Sequence, residues 1–79
     1  MSMKFVPDED LGEWRVFANT AVRLTRTEHR DEVWRSYRVE LRDGAGSIHV
    51  ISEERDRKEA GPIYHTTCSV LRALFKETR

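Results

Sequence analysis

The stretch VWRSYRVELRDGAGSIHVIS, residues 33–52, decides the fold. In its first arm Val33, Tyr37, Val39 and Leu41 alternate with Trp34, Ser36, Arg38, Glu40 and Arg42, the period of two that gives a strand one apolar and one polar face. Asp43, Gly44, Ala45, Gly46 and Ser47 then make a polar turn, in which the glycines supply the positive φ that hairpin loops need. Residues 48–52 return as the second arm, so the whole reads as a β-hairpin.

Working upstream, residues 13–27 admit two periods. As a strand, Trp14, Val16, Ala18, Val22 and Leu24 share a face; as a helix, Leu11, Trp14, Ala18, Ala21 and Val22 make a stripe. Two valines, three threonines, Trp14 and Phe17 favour a pleated strand, and Asn19 suits a helix interior poorly. The segment is therefore read as a long strand or bent strand pair broken near Asn19 and Thr20. A charged connection over residues 28–32 joins it to the hairpin. Further upstream, Pro7, Asp8, Glu9 and Asp10 suit the first turn of a short helix that Gly12 would stop, with a loose acidic arm as the alternative.

Downstream, residues 53–61 contain seven charges and read as a solvated tip or loop. Pro62, Ile63, Tyr64 and His65 suggest a short edge strand, where a missing proline amide does little harm. Residues 66–79 read as a helix. Thr66 or Thr67 would cap it, Val70, Leu71, Leu74 and Phe75 would form its apolar face with Cys68 at the margin, and Lys76 and Arg79 would complement its dipole. The expected fold is a single small α+β domain: a three- to four-stranded antiparallel meander with one C-terminal helix packed on one face.

A single helix covers one face of such a sheet. The covered face is expected to carry Val16, Val22, Leu24, Tyr37, Val39, Leu41, Ile48 and Val50. The other is expected to present Arg15, Phe17, Asn19, Arg23, Trp34, Arg38, Glu40, Arg42, His49 and Ile51. Of these, Trp34, Arg38, Arg42, Phe17, Arg15, Arg23 and His49 are the candidate binding residues, because aromatics interleaved with arginines are characteristic of interaction hot spots.

Composition narrows what that face would bind. Fourteen basic and fourteen acidic residues give a formal net charge of zero, against gripping duplex nucleic acid by bulk charge. Eleven of the basic residues are arginines, suited to forked contacts with carboxylates or phosphates. Mixed charge favours a protein partner, and the expected function is a non-enzymatic adaptor or inhibitor of a size in keeping with phage or mobile-element proteins. A homodimer burying Phe17 and Trp34 is a further expectation. The alternative is a platform for single-stranded nucleic acid, with bases stacked on Trp34 and Phe17 and phosphates tracked by Arg15, Arg23, Arg38 and Arg42. Sheet-then-helix order is shared in outline by several single-strand binders, an analogy of architecture alone.

Catalytic chemistry finds little support. His65 and Cys68 lie three residues apart at the expected helix start, but Cys68 falls beside Leu71 and Phe75 and reads as a small buried hydrophobe. His29, His49, His65 and Cys68 lack paired metal-ligand spacing, Gly44 and Gly46 precede a strand rather than a phosphate-binding helix, and no cofactor or metal is expected. With one cysteine and no apolar run of membrane-spanning length, the expectation is a cytoplasmic protein without a membrane partner.

Overall fold

The computed structural model describes residues 11–28 and 35–75. Four strands, β1 (Arg15–Phe17), β2 (Thr20–Glu28), β3 (Arg35–Arg42) and β4 (Ile48–Glu54), form an antiparallel sheet in the order β1-β2-β3-β4, followed by one helix, α1 (Arg57–Leu74). This is the α+β meander that the alternation implies. Val33, Trp34, all but Glu28 of the charged connection, the first ten residues, and Lys76 and Arg79, read as complementing the helix dipole, lie outside the described residues.

The bent strand pair is a true hairpin. Phe17 pairs with Thr20 across a two-residue turn, and Ala18 takes φ 57° at the first central position. Positive φ at that position is the pattern of a type II′ turn, where glycine is the usual occupant. A two-residue turn also reverses the parity assumed for an unbroken strand. Arg15 stands opposite Val22 and Phe17 opposite Thr20, so Phe17 belongs to the covered face, and Val16, opposite Ala21, does not.

The β3–β4 turn follows from Asp43. Its backbone N–H donates to the Ser47 carbonyl (2.9 Å) and its carbonyl accepts from Gly46 N–H (3.0 Å), while Gly46 sits at φ 91°. That combination is the three-residue hairpin loop closed by a left-handed glycine. The Asp43 carboxylate accepts from the N–H groups of Ala45 and Ser47, each at 2.9 Å. Register then follows from the turn rather than from hydrophobicity. Arg42 pairs with Ile48 and Glu40 with Val50, which places Ile48 and Val50 on the face away from the helix and His49, opposite Leu41, on the helix side. Ile51 is the extra residue of a bulge, after which Ser52 pairs with Val39 and Glu54 with Tyr37.

The helix begins nine residues earlier than the sequence pattern suggests. Asp56, not Thr66 or Thr67, caps it, its side chain accepting from Lys58 N–H at 2.9 Å. Residues 53–61 are thus the end of β4 and the first turns of α1, and Pro62–His65 are helical rather than an edge strand. Proline in a helix interior costs about 3 kcal/mol and glycine about 1 kcal/mol. Burying Ala60, Tyr64, Cys68 and Leu71 against the sheet outweighs that, at about 1.5–3 kcal/mol for each large side chain. The buried stripe is Ala60, Gly61, Tyr64, Cys68 and Leu71. Cys68 lies at its centre, 2% exposed, whereas Val70 and Leu74 are exposed. Phe75 ends the helix in extended backbone, its N–H donating to the Leu71 carbonyl at 2.7 Å.

The core joins Phe17, Val22, Leu24 and Val39 to this stripe, with Leu11, Tyr37, Leu41 and Ile63 packed around it. Cys68 and Arg15 neighbour the Tyr64 hydroxyl, and burial, followed by Cys68, pushes its pKa up to about 12.

Candidate functional site

Among the described residues no element packs on the face of the sheet away from α1. Register sets its composition. Across β1, β2 and β3 it runs Val16, Ala21, Arg42, then Arg23 opposite Glu40, then Thr25 opposite Arg38; β4 adds Ile48, Val50 and Glu53.

Trp14 anchors this face. It immediately precedes β1, and extending the β1–β2 register by one residue places it opposite Arg23. The Arg23 guanidinium lies 4.4 Å from its ring centroid and that of Arg42 4.8 Å, so two cations grip one indole. Guanidinium groups sit over aromatic faces because the ring quadrupole attracts positive charge while the planar surfaces stack. Arg23 is fixed from its other side, where Nε donates to Glu40 Oε1 at 2.7 Å. The Glu40 side chain is only 9% exposed and that of Arg23 28%, so the pair is largely out of water. Arg38 Nε lies 3.3 Å from Glu53 Oε2 in a second, more exposed ion pair linking β3 to β4.

The β4 side of the face is aliphatic. Ile48 is 52% and Val50 54% exposed. The face therefore divides into a cationic, tryptophan-centred half and an apolar half bordering the β4 edge, which no described strand covers.

Of the seven candidate residues, the structure brings three together here: Arg23, Arg38 and Arg42. Trp34 lies outside the described residues. Phe17 is a correction: the β1–β2 turn reverses parity and puts its ring, 0% exposed, in the core. Arg15 is a second correction, lying on the helix side in contact with Tyr64 and 5.9 Å from the Phe17 ring centroid. His49 is a third. It faces the helix side, where Nε2 lies 2.8 Å from Asp43 Oδ2 and holds the Asp43 carboxyl below the usual carboxylate range, together with the Ser47 N–H. Asn19 belongs to a turn, its side chain against Gly44. Sequence reasoning missed Trp14, Ile48 and Val50 as members of the face. Counting backward from Thr20 through a two-residue turn, and forward from Arg42 through a glycine-closed loop, identifies all three.

Among the described residues no group of three or more His, Cys, Asp or Glu is placed to hold a metal ion. Nor is any described helix long and apolar enough to cross a membrane. No family model, curated protein or solved structure matches the chain.

Proposed function

We propose that this protein is a non-enzymatic binding module that docks another protein on the sheet face away from α1. The observation that supports this reading is the half-exposed pair Ile48 and Val50 on β4, with Ile48 opposite Arg42, which together with Arg23 grips the Trp14 indole. Apolar surface flanked by tryptophan and arginine is the composition of a protein-binding hot spot with its polar surround. Mixed charge from Arg38, Glu53 and the Arg23–Glu40 pair sets register and rejects wrong partners. An adaptor or inhibitor role, in the cytoplasm, fits a face of this kind.

The state of the arginines weighs against the nucleic-acid alternative. Arg23 and Arg38 each face a carboxylate, and Arg42 lies over Trp14, so phosphates would compete with interactions already made.

The test places a photo-crosslinking amino acid at Val50 or, on the exposed side of α1, at Ser69. An adduct to a protein other than a second copy of this chain, formed from Val50, absent from Ser69 and lost on Ile48→Lys, is the expected result; an adduct to a second copy alone overturns the docking reading. In parallel, anisotropy of labelled mixed-sequence single-stranded DNA and RNA is followed at low and physiological salt. Saturable binding that weakens steeply with salt overturns the docking reading in favour of the nucleic-acid one.

A further inference from the structure

The two edges of the sheet are unequal. β1 offers three residues; β4 offers seven, of which residues 48–50, ahead of the bulge at Ile51, contain no Asp, Glu, Lys, Arg or proline, side chains that often blunt an exposed strand. The free hydrogen-bonding groups of β4 can be assigned. The Asp43 N–H donates to the Ser47 carbonyl, so by antiparallel alternation His49 directs its N–H and C=O toward β3, while Ile48 and Val50 direct theirs to the edge that no described strand covers. Beyond Val50 the bulge at Ile51 breaks the pattern.

We infer that β4 pairs with β4 of a second copy of this chain, antiparallel about a two-fold axis through His49, with Ile48 of each copy opposite Val50 of the other. This inference goes beyond the docking reading, since it concerns the edge of the sheet rather than its face, and it stands whether or not the face takes another protein.

Three observations select this occupant and register. A two-fold axis normal to the sheet is the only one that makes adjacent strands antiparallel with side chains matched in face, and it requires an axis at a residue. Centred on His49, both outward-facing residues of each copy meet outward-facing residues of the other, giving four main-chain hydrogen bonds, and Ile48 and Val50 meet only aliphatic side chains. Centred on Val50, Ile48 would face Ser52; centred on Ile48, Val50 would face Gly46. Charge selects the direction. Antiparallel pairing sends Glu53 and Glu54 of the two copies to opposite ends of the junction, whereas parallel pairing would set all four together.

The product is one eight-stranded sheet with both helices on the same side. Its other side becomes a continuous surface with the four aliphatics at the centre and a Trp14–arginine cluster on each flank. The ladder is short, bounded by the turn at Ser47 and the bulge at Ile51. Specific stable interfaces bury about 1,200–2,000 Å² in total, and a junction this short lies toward the weak end of that scale. Dimerisation in the micromolar range is expected.

The experiment combines a single-cysteine scan with sedimentation velocity. Residues opposite one another in a non-hydrogen-bonded pair have Cα atoms about 4.5 Å apart, within disulfide reach. Oxidation of His49→Cys therefore gives a disulfide-linked dimer faster than Ile48→Cys or Val50→Cys, and the parent chain, whose Cys68 is buried, gives none. Fastest linkage at residue 48 or 50 overturns this register. Sedimentation should move from monomer to dimer as concentration rises from about 1 µM to about 1 mM, and Val50→Pro should remove the shift. Its amide faces the edge, so the β3–β4 ladder keeps its bonds. Trp14→Ala should leave the shift in place. A parent chain that stays monomeric throughout, or a dimer that resists both Val50→Pro and the cysteine at 49, overturns the inference. Should Val50→Pro fail to fold, the order of the cysteine rates still decides.

Discussion

Separating Arg23 from Glu40 exposes how the cationic half of the face is held together. Removal of one partner of a fully buried ion pair costs about 3–5 kcal/mol, because the remaining charge is left without water or counter-charge. Here the two partners differ in exposure, 28% for Arg23 and 9% for Glu40, so the two single variants should differ as well. Glu40→Ala leaves a guanidinium that water reaches in part and that still lies over Trp14, and should cost about 2 kcal/mol, near the value for a lost hydrogen bond to a charged group. Arg23→Met keeps an apolar stem over the indole but strands a carboxylate with little solvent, and should cost about 3 kcal/mol. The double variant buries neither charge, so its destabilisation should fall short of the sum by about 1–2 kcal/mol. Urea unfolding of the four proteins supplies the cycle, and for a chain of this size each kcal/mol also moves the thermal midpoint by about 4–8 °C. Additive costs, or Arg23→Met milder than Glu40→Ala, would refute the reasoning and reduce the pair to an ordinary surface contact.

Three further outcomes follow from the turns and the core. Ala18→Gly should stabilise the fold by about 0.5–1 kcal/mol, since φ 57° carries a penalty that glycine escapes and its added unfolded-state entropy only partly cancels; a shift of the urea midpoint at constant slope checks it. Asp43, held below its ordinary 3.8 by His49 and the Ser47 N–H, contributes stability that is present above pH 3.8 and lost as pH falls through its lower folded value; Asp43→Asn should flatten stability against pH in that acid window. Tyr64, raised from 10.0 to about 12 by burial and Cys68, keeps its proton in the folded chain, so stability should decline as pH rises from 10 toward 12. Tyr64→Phe should abolish that decline in alkaline denaturation followed by circular dichroism.

How legible these features are in the sequence depends on which interaction sets them. Alternation from Tyr37 to Arg42 marks β3 because one side of that strand packs on the helix and the other carries charge, and the glycines at 44 and 46 mark its turn. Composition also suffices to read 13–27 as strand broken near Asn19 and Thr20, within a residue of the turn at Ala18 and Asn19. Face assignment is harder, because it depends on how many residues each turn consumes. A turn of two residues moves Phe17 into the core and Trp14 out of it, and a glycine-closed loop turns Ile48 and Val50 away from the helix despite their hydrophobicity. The start of α1 is hidden for a different reason. Gly61 and Pro62 locally oppose a helix, and only the packing of Ala60, Tyr64, Cys68 and Leu71 on the sheet, a tertiary effect, overrides them. Arg23, Arg38 and Arg42 were readable as surface residues because they share β2 and β3 with the best-patterned core.

The order β1-β2-β3-β4 also governs when the molecule becomes stable during synthesis. Every ladder joins neighbours along the chain, so strand pairing needs only short loop closures and can proceed rapidly. The helix that covers the apolar side is nevertheless the last described element, and Phe17, Val22 and Leu24 find Tyr64, Cys68 and Leu71 only once residues 57–74 have left the ribosome. Until then a nascent meander carries its whole apolar side bare. That interval is when chaperone binding should be strongest.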